Sequence, residues 1–450
     1  MLVPGAGFVE RNSELVRQRC QPREHVADLV HLLVTRPFAR GLRQLPDFLG
    51  EPRHCGSQAP CPVTRAVGRL HLPLQLAELG HGAPLVSVDS VRKRSAIRWR
   101  ACREGVVVKA WRVHRYGAPS EVLRIDEVDE PTPADGELKI RVTSVTLNFN
   151  DLDGIHGRYK TVPRPVPYIP GMEVLGIVEA CGAGADAWLG RRVVAIPSGA
   201  FGGYAEYVVA PVSMAFEMPP EMPESEAAAI FMPFHLAWLA LYERARIQPG
   251  ETLLVHAGAG GAGSAALQLG VHAGARVFAT AGSSEKTKLC LDLGAELAIN
   301  YRDTDFADAV LDATDGRGVD VAFDAVSGDV TLKTFRCMAF NGRHILAGFA
   351  SGIEQEDEGL VPRPVLFGNF SLVGVCHAYV DDPVVFKRLS GFNFPSHLDG
   401  EQLHAELLEL FAAGTLRAIV GQEVPFLDLP AALEAIEQRR TVGRTVVRLP

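Results

Sequence analysis

Over residues 106–209 the apolar positions fall in short β-rich runs, and from about residue 250 such runs alternate with longer helical stretches. The first set, Val106–Val113, Leu138–Thr146, Gly176–Ala180, Arg192–Ile196 and Tyr204–Val209, is punctuated by turns such as Pro131-Thr-Pro-Ala-Asp-Gly136. These runs predict a small antiparallel barrel. Glu224–Arg246 reads as one helix, with Pro223 ahead of it and acids in its first turn. Strands are then expected at Thr252–His256, Arg276–Ala281, Leu297–Asn300, Val319–Asp324 and Gly342–Ala347, with helical segments between them. That alternation implies βαβ units and a parallel sheet. Beyond Cys376 the pattern turns irregular, with helices at Gly400–Ala413 and near Ala431–Arg439 and a closing strand Arg444–Leu449.

The first 105 residues follow no sustained period and receive no fold. They carry 15 Arg and one Lys against nine acids, whereas the rest of the chain has 29 bases against 44 acids. Three readings compete for this basic segment. A targeting segment conflicts with Glu10, Glu14 and Glu24 and with the length. A nucleic-acid arm lacks interleaved aromatics or a helical basic stripe. The favoured reading is an upstream stretch outside the working protein, so a chain starting at Val108 is expected to fold and turn over unchanged.

Composition narrows the class further. The 450 residues are 47% hydrophobic and 22% charged, which suits a folded protein rather than a disordered or fibrous one. The longest apolar stretch, Ala227–Tyr242, falls short of the roughly 20 residues of a spanning helix and contains Pro233 and His235. No membrane or nucleic-acid partner is expected. The eight Cys are scattered without a CxxC or a Cys/His cluster, so reduced thiols in the cytoplasm are the default.

The most informative motif is Leu253-Leu-Val-His-Ala-Gly258-Ala-Gly260-Gly261-Ala-Gly263, set between a strand and the helix Ser264–Ala273. In that setting Gly258 permits the tight turn, Gly260 the approach of a pyrophosphate to the backbone, and Gly263 close helix packing. The phosphates then meet the positive end of the helix. The next strand ends Phe278-Ala-Thr-Ala-Gly282-Ser283-Ser-Glu-Lys286, without the acid that binds the ribose of NAD. Ser283 and Lys286 suit a 2′-phosphate instead, with Tyr301 able to close the same pocket. The expected cofactor is therefore NADPH.

Several separated segments then match in order: Val145-Thr-Leu-Asn148-Phe-Asn-Asp151, Gly157-Arg-Tyr159, Pro170-Gly-Met-Glu-Val-Leu-Gly-Ile-Val178, Gly202-Gly-Tyr-Ala-Glu-Tyr207, the glycine motif, Asn300-Tyr301, Val321-Ala-Phe-Asp324-Ala-Val-Ser-Gly328 and Gly443-Arg444. Over residues 106–450 the chain resembles the NADPH:quinone oxidoreductase (zeta-crystallin-like) branch of the medium-chain dehydrogenase/reductase superfamily. The resemblance implies an α/β fold in which a GroES-like β-barrel catalytic domain is interrupted by a Rossmann domain, a doubly wound parallel sheet. The divisions expected are an extension at 1–105, the catalytic domain at 106–229, the Rossmann domain at 230–375 and a return to the catalytic domain at 376–450. The resemblance also implies cofactor contacts at Gly258, Gly260, Gly261, Gly263, Lys286 and Tyr301, and a basic residue, Arg444, near the nicotinamide.

Departures from the zinc alcohol dehydrogenases of that superfamily point to the chemistry. Where those enzymes carry a Cys and a Gly-His-Glu segment, this chain has Asn148 and Gly171-Met172-Glu173, a poor donor set for zinc. Acceptors that take hydride directly, quinones and α,β-unsaturated carbonyls, remain. Asn148 is a candidate for holding the nicotinamide ribose or a substrate oxygen, and Tyr159 for delivering a proton. Phe149, Phe201, Phe349 and Phe370 are candidate walls for a planar acceptor. An enoyl-thioester reductase is the close alternative, and a non-catalytic NADPH-binding or crystallin-like structural protein is the alternative of another class. A homodimer is expected, because the apolar run Phe370–Val375 would leave a bare sheet edge.

Overall fold

The computed structural model describes residues 107–450, apart from 162 and 163. The readings of residues 1–105 and the start of the first strand at Val106 lie outside the described residues.

Two sheets organise the described chain. The barrel sheet runs in the order Val420–Pro425, Arg444–Arg448, Glu137–Thr146, Val174–Cys181, Arg192–Ala195 and Ala215–Glu217, and Tyr207–Pro211 also pairs with Glu137–Thr146. A hairpin of Val107–Val113 and Leu123–Asp129 joins it through bridges from Ala110 to Ala205 and from Val113 to Tyr168. Alternation decides which faces are buried. Leu138, Ile140 and Val142 point inward with Val178, Val193 and Val208, while Lys139 and Arg141 lie on the opposite face of their strand.

The second sheet is parallel and six-stranded. Its order is Leu297–Asn300, Arg276–Ala281, Thr252–Val255, Val319–Asp324, Met338–Leu346 and Ser371–Gly374. The order reverses between Thr252–Val255 and Val319–Asp324, and ligands of such sheets sit at the carboxyl ends of the strands beside that switch point. Thr252–Val255 and Val319–Asp324 are buried throughout, as strands covered on both faces must be. The closing strand Arg444–Arg448 brings the lobes together: the Gly443 amide donates to the Ala259 carbonyl at 2.8 Å, against the glycine-rich turn.

The helix expected over Glu224–Arg246 is divided. Glu224–Ala228 ends at Ala229, Phe231–Trp238 follows, and Leu239–Arg244 is a π-helical turn. Pro233 explains the break, because a continuous helix needs an N–H there for the Ala229 carbonyl. The segment after Cys376 adds a helix at Pro383–Ser390 that was not expected, while the helix expected at Gly400–Ala413 is present as His397–Ala412.

A buried chain of polar groups links the two lobes. The Glu217 carbonyl can only accept, so His404 Nε2–H donates to it at 3.0 Å and the other ring nitrogen, Nδ1, must accept. His235 Nε2–H therefore donates to His404 at 3.0 Å, and the Tyr379 hydroxyl donates to His235 Nδ1 at 2.7 Å. Burial holds these imidazoles neutral. It lowers the pKa of His404 and His377 to about 4, and that of His256 likewise to about 4, while His235 falls well below its ordinary value. The unfolded chain takes up protons as pH falls below about 6.5, before the folded chain can. The stability these residues confer is thus fully present above about pH 6.5 and is lost as pH falls toward 4, with each group near 4 costing about 2 kcal/mol at pH 5. Thermal melting at pH 7 and pH 5 should show a clear fall in Tm at the lower pH; equal midpoints would contradict the neutral assignment.

Candidate active site

The strand Thr252–Val255 feeds the glycine-rich turn, and Gly261–His272 is the helix that leaves it. Gly260 caps that helix without a side chain, which leaves the first amides free for an anion. A Cβ on Gly263 would come within 2.1 Å of the Ala257 carbonyl oxygen, so only glycine lets the helix pack this closely. Gly258 belongs to the same turn, its amide donating to the Thr280 carbonyl at 2.9 Å. A Cβ on Gly261 would meet Arg444 Cδ at 2.5 Å, which places that basic side chain directly over the helix start. Arg444 Nε is buried with no partner, a donor left over for a ligand.

A cavity of about 210 Å³ lies beside this turn, lined by Gly282, Ser283, Glu285, Lys286, Tyr301, Arg302, Arg439, Arg440 and Val442. Ser283 caps the helix Ser284–Asp292 and accepts from the Lys286 amide at 3.3 Å. Lys286 Nζ donates to the Arg439 carbonyl at 2.8 Å, and burial lowers its pKa. The cavity thus gathers Ser283, Lys286 and Tyr301, as expected from sequence, and adds Arg302, Arg439 and Arg440. Four cations against the single acid Glu285 give the cavity a positive lining, the charge that favours an anion. A larger hollow of about 480 Å³, lined by residues such as Trp111, Leu123 and Leu427, shares no residue with this region.

Arg444 also ties the barrel to the cofactor turn. Its Nη1 donates to Asn148 Oδ1 at 2.8 Å and its Nη2 to Thr146 Oγ1 at 2.5 Å, and the same Nη2 pairs with the Glu173 carboxylate. Glu173, 1% exposed, accepts as well from the Thr146 hydroxyl and, at 2.8 Å, from the Met232 amide. Asn148 is held at both ends, since its Nδ2 donates to the Thr146 carbonyl at 3.3 Å. Asp151, one turn into the helix Phe149–His156, is fully buried, and burial pushes its pKa up to about 6. It accepts from the Tyr204 hydroxyl at 2.7 Å and from the amides of Asn148 and Gly171.

Beyond that network three rings converge. A Cβ on Gly154 would stand 2.8 Å from the Tyr168 hydroxyl and 3.7 Å from the rings of Phe201 and Tyr159. Tyr168 and Phe201 meet edge to face at 5.9 Å. Tyr159 donates its hydroxyl to the Asn150 carbonyl at 3.1 Å, and burial, reinforced by Asp153 and Asp151, raises its pKa far above the ordinary phenol value. It stays protonated.

With this geometry in view, comparison with known proteins is specific. The alcohol dehydrogenase GroES-like domain matches residues 134–220 and the zinc-binding dehydrogenase family residues 261–386. A mycobacterial protein solved in complex with NADPH is 30% identical, with a TM-score of 0.67, covering 76% of this chain and 99% of that one. The chain is a medium-chain dehydrogenase/reductase of the quinone oxidoreductase branch. Human quinone oxidoreductase is 29% identical over 332 residues, 73% of this chain and 94% of its own length. The CurK enoyl reductase is 27% identical with a TM-score of 0.64, covering 76% of this chain and 99% of that one. The phthioceranic/hydroxyphthioceranic acid synthase of Mycobacterium tuberculosis is 30% identical over 320 residues, 71% of this chain, and the chain spans only 14% of that protein's length.

In this medium-chain dehydrogenase/reductase the positions that match the zinc ligands are engaged otherwise. Glu173 is engaged by a guanidinium, Asn148 binds the same guanidinium, and Met172 is the remaining residue of the matched positions. Among the described residues no group of three or more His, Cys, Asp or Glu is placed to hold a metal ion. Of the four expected aromatic walls, Phe201 joins the Tyr159 cluster, Phe149 opens the helix beside Asn148, and Phe349 is half exposed, just beyond Met338–Leu346. Phe370 is corrected: it is 6% exposed and packs at 5.0 Å on Phe335 in the core beneath the parallel sheet, so it is no wall of a cleft. His256, given no role from sequence, is bonded to Thr280 and Thr334 in the core.

Proposed function

We propose that this chain is a zinc-independent reductase that passes hydride from NADPH to a quinone or an α,β-unsaturated carbonyl. The observation that carries the reading is the Arg444 guanidinium locked between Asn148 and Glu173, which leaves the barrel without the donors of a Lewis acid at that place. The cofactor fits the residues present: Ser283, Lys286, Tyr301, Arg302, Arg439 and Arg440 would hold its 2′-phosphate, and the Gly258–Gly263 turn with Arg444 its pyrophosphate. When bound, NADPH supplies hydride from its nicotinamide ring. Everything else falls to the protein. Arg444 and Asn148 fix the barrel edge against the cofactor turn, the rings of Tyr159, Tyr168 and Phe201 exclude water from an apolar acceptor, and Tyr159, kept protonated by burial, holds a proton at its hydroxyl for the acceptor.

A second reading, an enoyl-thioester reductase, is favoured by the likeness to CurK and by the same protonated Tyr159. An acceptor panel separates the two. NADPH oxidation is expected with neutral quinones and conjugated enals, at rates well above those with a crotonyl thioester; a thioester rate tenfold above every quinone would overturn the assignment in favour of the second reading.

Among the described residues no strand pairs beyond the sheet edge at Ser371–Gly374, and Leu366 and Phe367 beside it are 70% and 73% exposed. A second copy of the chain pairing along this edge about a two-fold axis would cover them. Light scattering at micromolar concentration should give twice the chain mass; an active monomer would rule the pairing out. The described cysteines are free, which supports a reducing, cytoplasmic setting.

A further inference from the structure

The segment 347–358 leaves the carboxyl end of the strand Met338–Leu346, on the cofactor side of the parallel sheet, and does not stay there. Its start is fastened to that lobe. The Ser327 hydroxyl donates to the Gly348 carbonyl at 2.7 Å and the Ser351 amide to the Val326 carbonyl at 2.8 Å, while Ile353 is buried to 5% exposure. Its far end lands on the barrel, against the residues that flank Tyr159. Glu356 Oε1 accepts the amides of Lys160, at 2.5 Å, and Thr161, at 2.6 Å, the two residues that follow Tyr159. On either side, Glu354 pairs with Arg158 at 3.4 Å and Asp357 with Lys160 at 2.9 Å.

These contacts differ in kind. The two ion pairs join half-exposed side chains, and pairs of that sort are worth little in water. The Glu356 bonds are charge-assisted, doubly received and made to the main chain, so they fix backbone rather than side-chain position. Ahead of Tyr159 the Arg158 amide donates to the Asp153 carbonyl at 2.8 Å and its guanidinium pairs with Glu437 at 2.6 Å, whereas after it the main chain of Lys160 and Thr161 is held through Glu356; the Tyr159 hydroxyl bond to the Asn150 carbonyl must break for the phenol to reach a ligand. From these bonds we infer that Glu356 is a positioning residue for the reaction: the strap 353–358 closes from the cofactor lobe onto the barrel and, through Glu356, fixes the backbone that presents Tyr159 to the acceptor.

This rests on the reading that Tyr159 lies at the acceptor, and the test separates the two. Hydrogen exchange on the full-length protein reports the strap without any substrate. In Glu356→Ala the amides of residues 158–161 should exchange at least about tenfold faster than in the wild type, with the melting temperature nearly unchanged. Kinetics then report the role. With a conjugated enal, whose carbon must be protonated, Glu356→Ala should lower kcat about tenfold while the NADPH dissociation constant stays within twofold. Glu356→Gln, which keeps an oxygen for both amides, should retain at least a third of kcat. If Glu356 works through Tyr159, Glu356→Ala adds no further loss, beyond about twofold, in a Tyr159→Phe background. Unchanged exchange, or losses that multiply in the double variant, would overturn the proposal. Faster exchange in a protein that reduces no acceptor would instead remove the functional reading, and with it the role given to Glu356.

Discussion

Replacing Glu173 with alanine should destabilise the protein by about 3–5 kcal/mol, the usual cost of stripping a buried charge of its partner. Glu173 is 1% exposed and the Arg444 side chain 10% exposed, so water cannot take over the lost interaction. The same carboxylate also accepts from the Thr146 hydroxyl and the Met232 amide, which belong to the barrel sheet and to the first turn of the helix Phe231–Trp238. One deletion therefore loosens the barrel, the junction helix and the arginine above the glycine-rich turn. Thermal melting should show a midpoint lower by at least about 5 °C. Glu173→Gln, which keeps one acceptor oxygen for the Met232 amide but sets an NH2 where Thr146 and Arg444 donate, should fall between alanine and wild type. A midpoint within about 1 °C of wild type for the alanine variant would mean that the pair holds nothing together.

NADPH should bind at least about tenfold more tightly than NADH. The strand Arg276–Ala281 is followed by Gly282 and Ser283, with no acid to receive a ribose hydroxyl, and the cavity beside it brings Lys286, Arg302, Arg439 and Arg440 around a space of about 210 Å³, room enough for one phosphate. A charge-assisted bond to that phosphate is worth about 1.5–3 kcal/mol, or roughly 10- to 150-fold in affinity. Arg440→Ala and Lys286→Ala should each erode the preference by weakening NADPH alone. Titration of both cofactors checks this, and dissociation constants within threefold of each other in the wild type would remove the phosphate from that cavity.

The sequence made the frame of this molecule readable where local pattern and tertiary environment agree. Leu253–Val255 and Val321–Phe323 are continuous apolar runs because their strands are covered on both faces, and the three glycines stand where a strand must turn sharply into a helix. Short or interrupted strands escaped. Ala215–Glu217 has three residues, and Val420–Pro425 carries Gly421 and ends in proline, so neither has a period to detect. The helix over Glu224–Arg246 was overextended because its apolar residues continue without pause across Ala229, where the missing amide of Pro233 decides.

The candidate site divides along a similar line. Ser283, Lys286 and Tyr301 follow the glycine turn at short separation, and the missing acid among them is a local signal. Arg439 and Arg440 reach the same cavity from more than 150 residues away, which no spacing rule connects to Lys286. Glu173 was visible only as the survivor of a vanished metal set; that it partners Arg444 required the closing strand to lie beside Glu137–Thr146. Phe370 shows the converse, since an aromatic beside a strand reads alike whether it faces a cleft or a core.

The central claim, hydride transfer to an electron-poor acceptor without zinc, is tested most directly by one paired assay on a chelator-treated and a zinc-supplemented sample of the same protein. NADPH oxidation by a neutral quinone is followed beside NADP reduction by 2-propanol. An alcohol must shed its hydroxyl proton as hydride leaves, and Asn148 and Met172 supply neither a metal to acidify it nor a base to take it. Expected is quinone reduction at equal rates in both samples, with no alcohol oxidation in either. Quinone reduction that disappears on chelation and returns with stoichiometric zinc, or 2-propanol oxidation at a comparable rate, would contradict it.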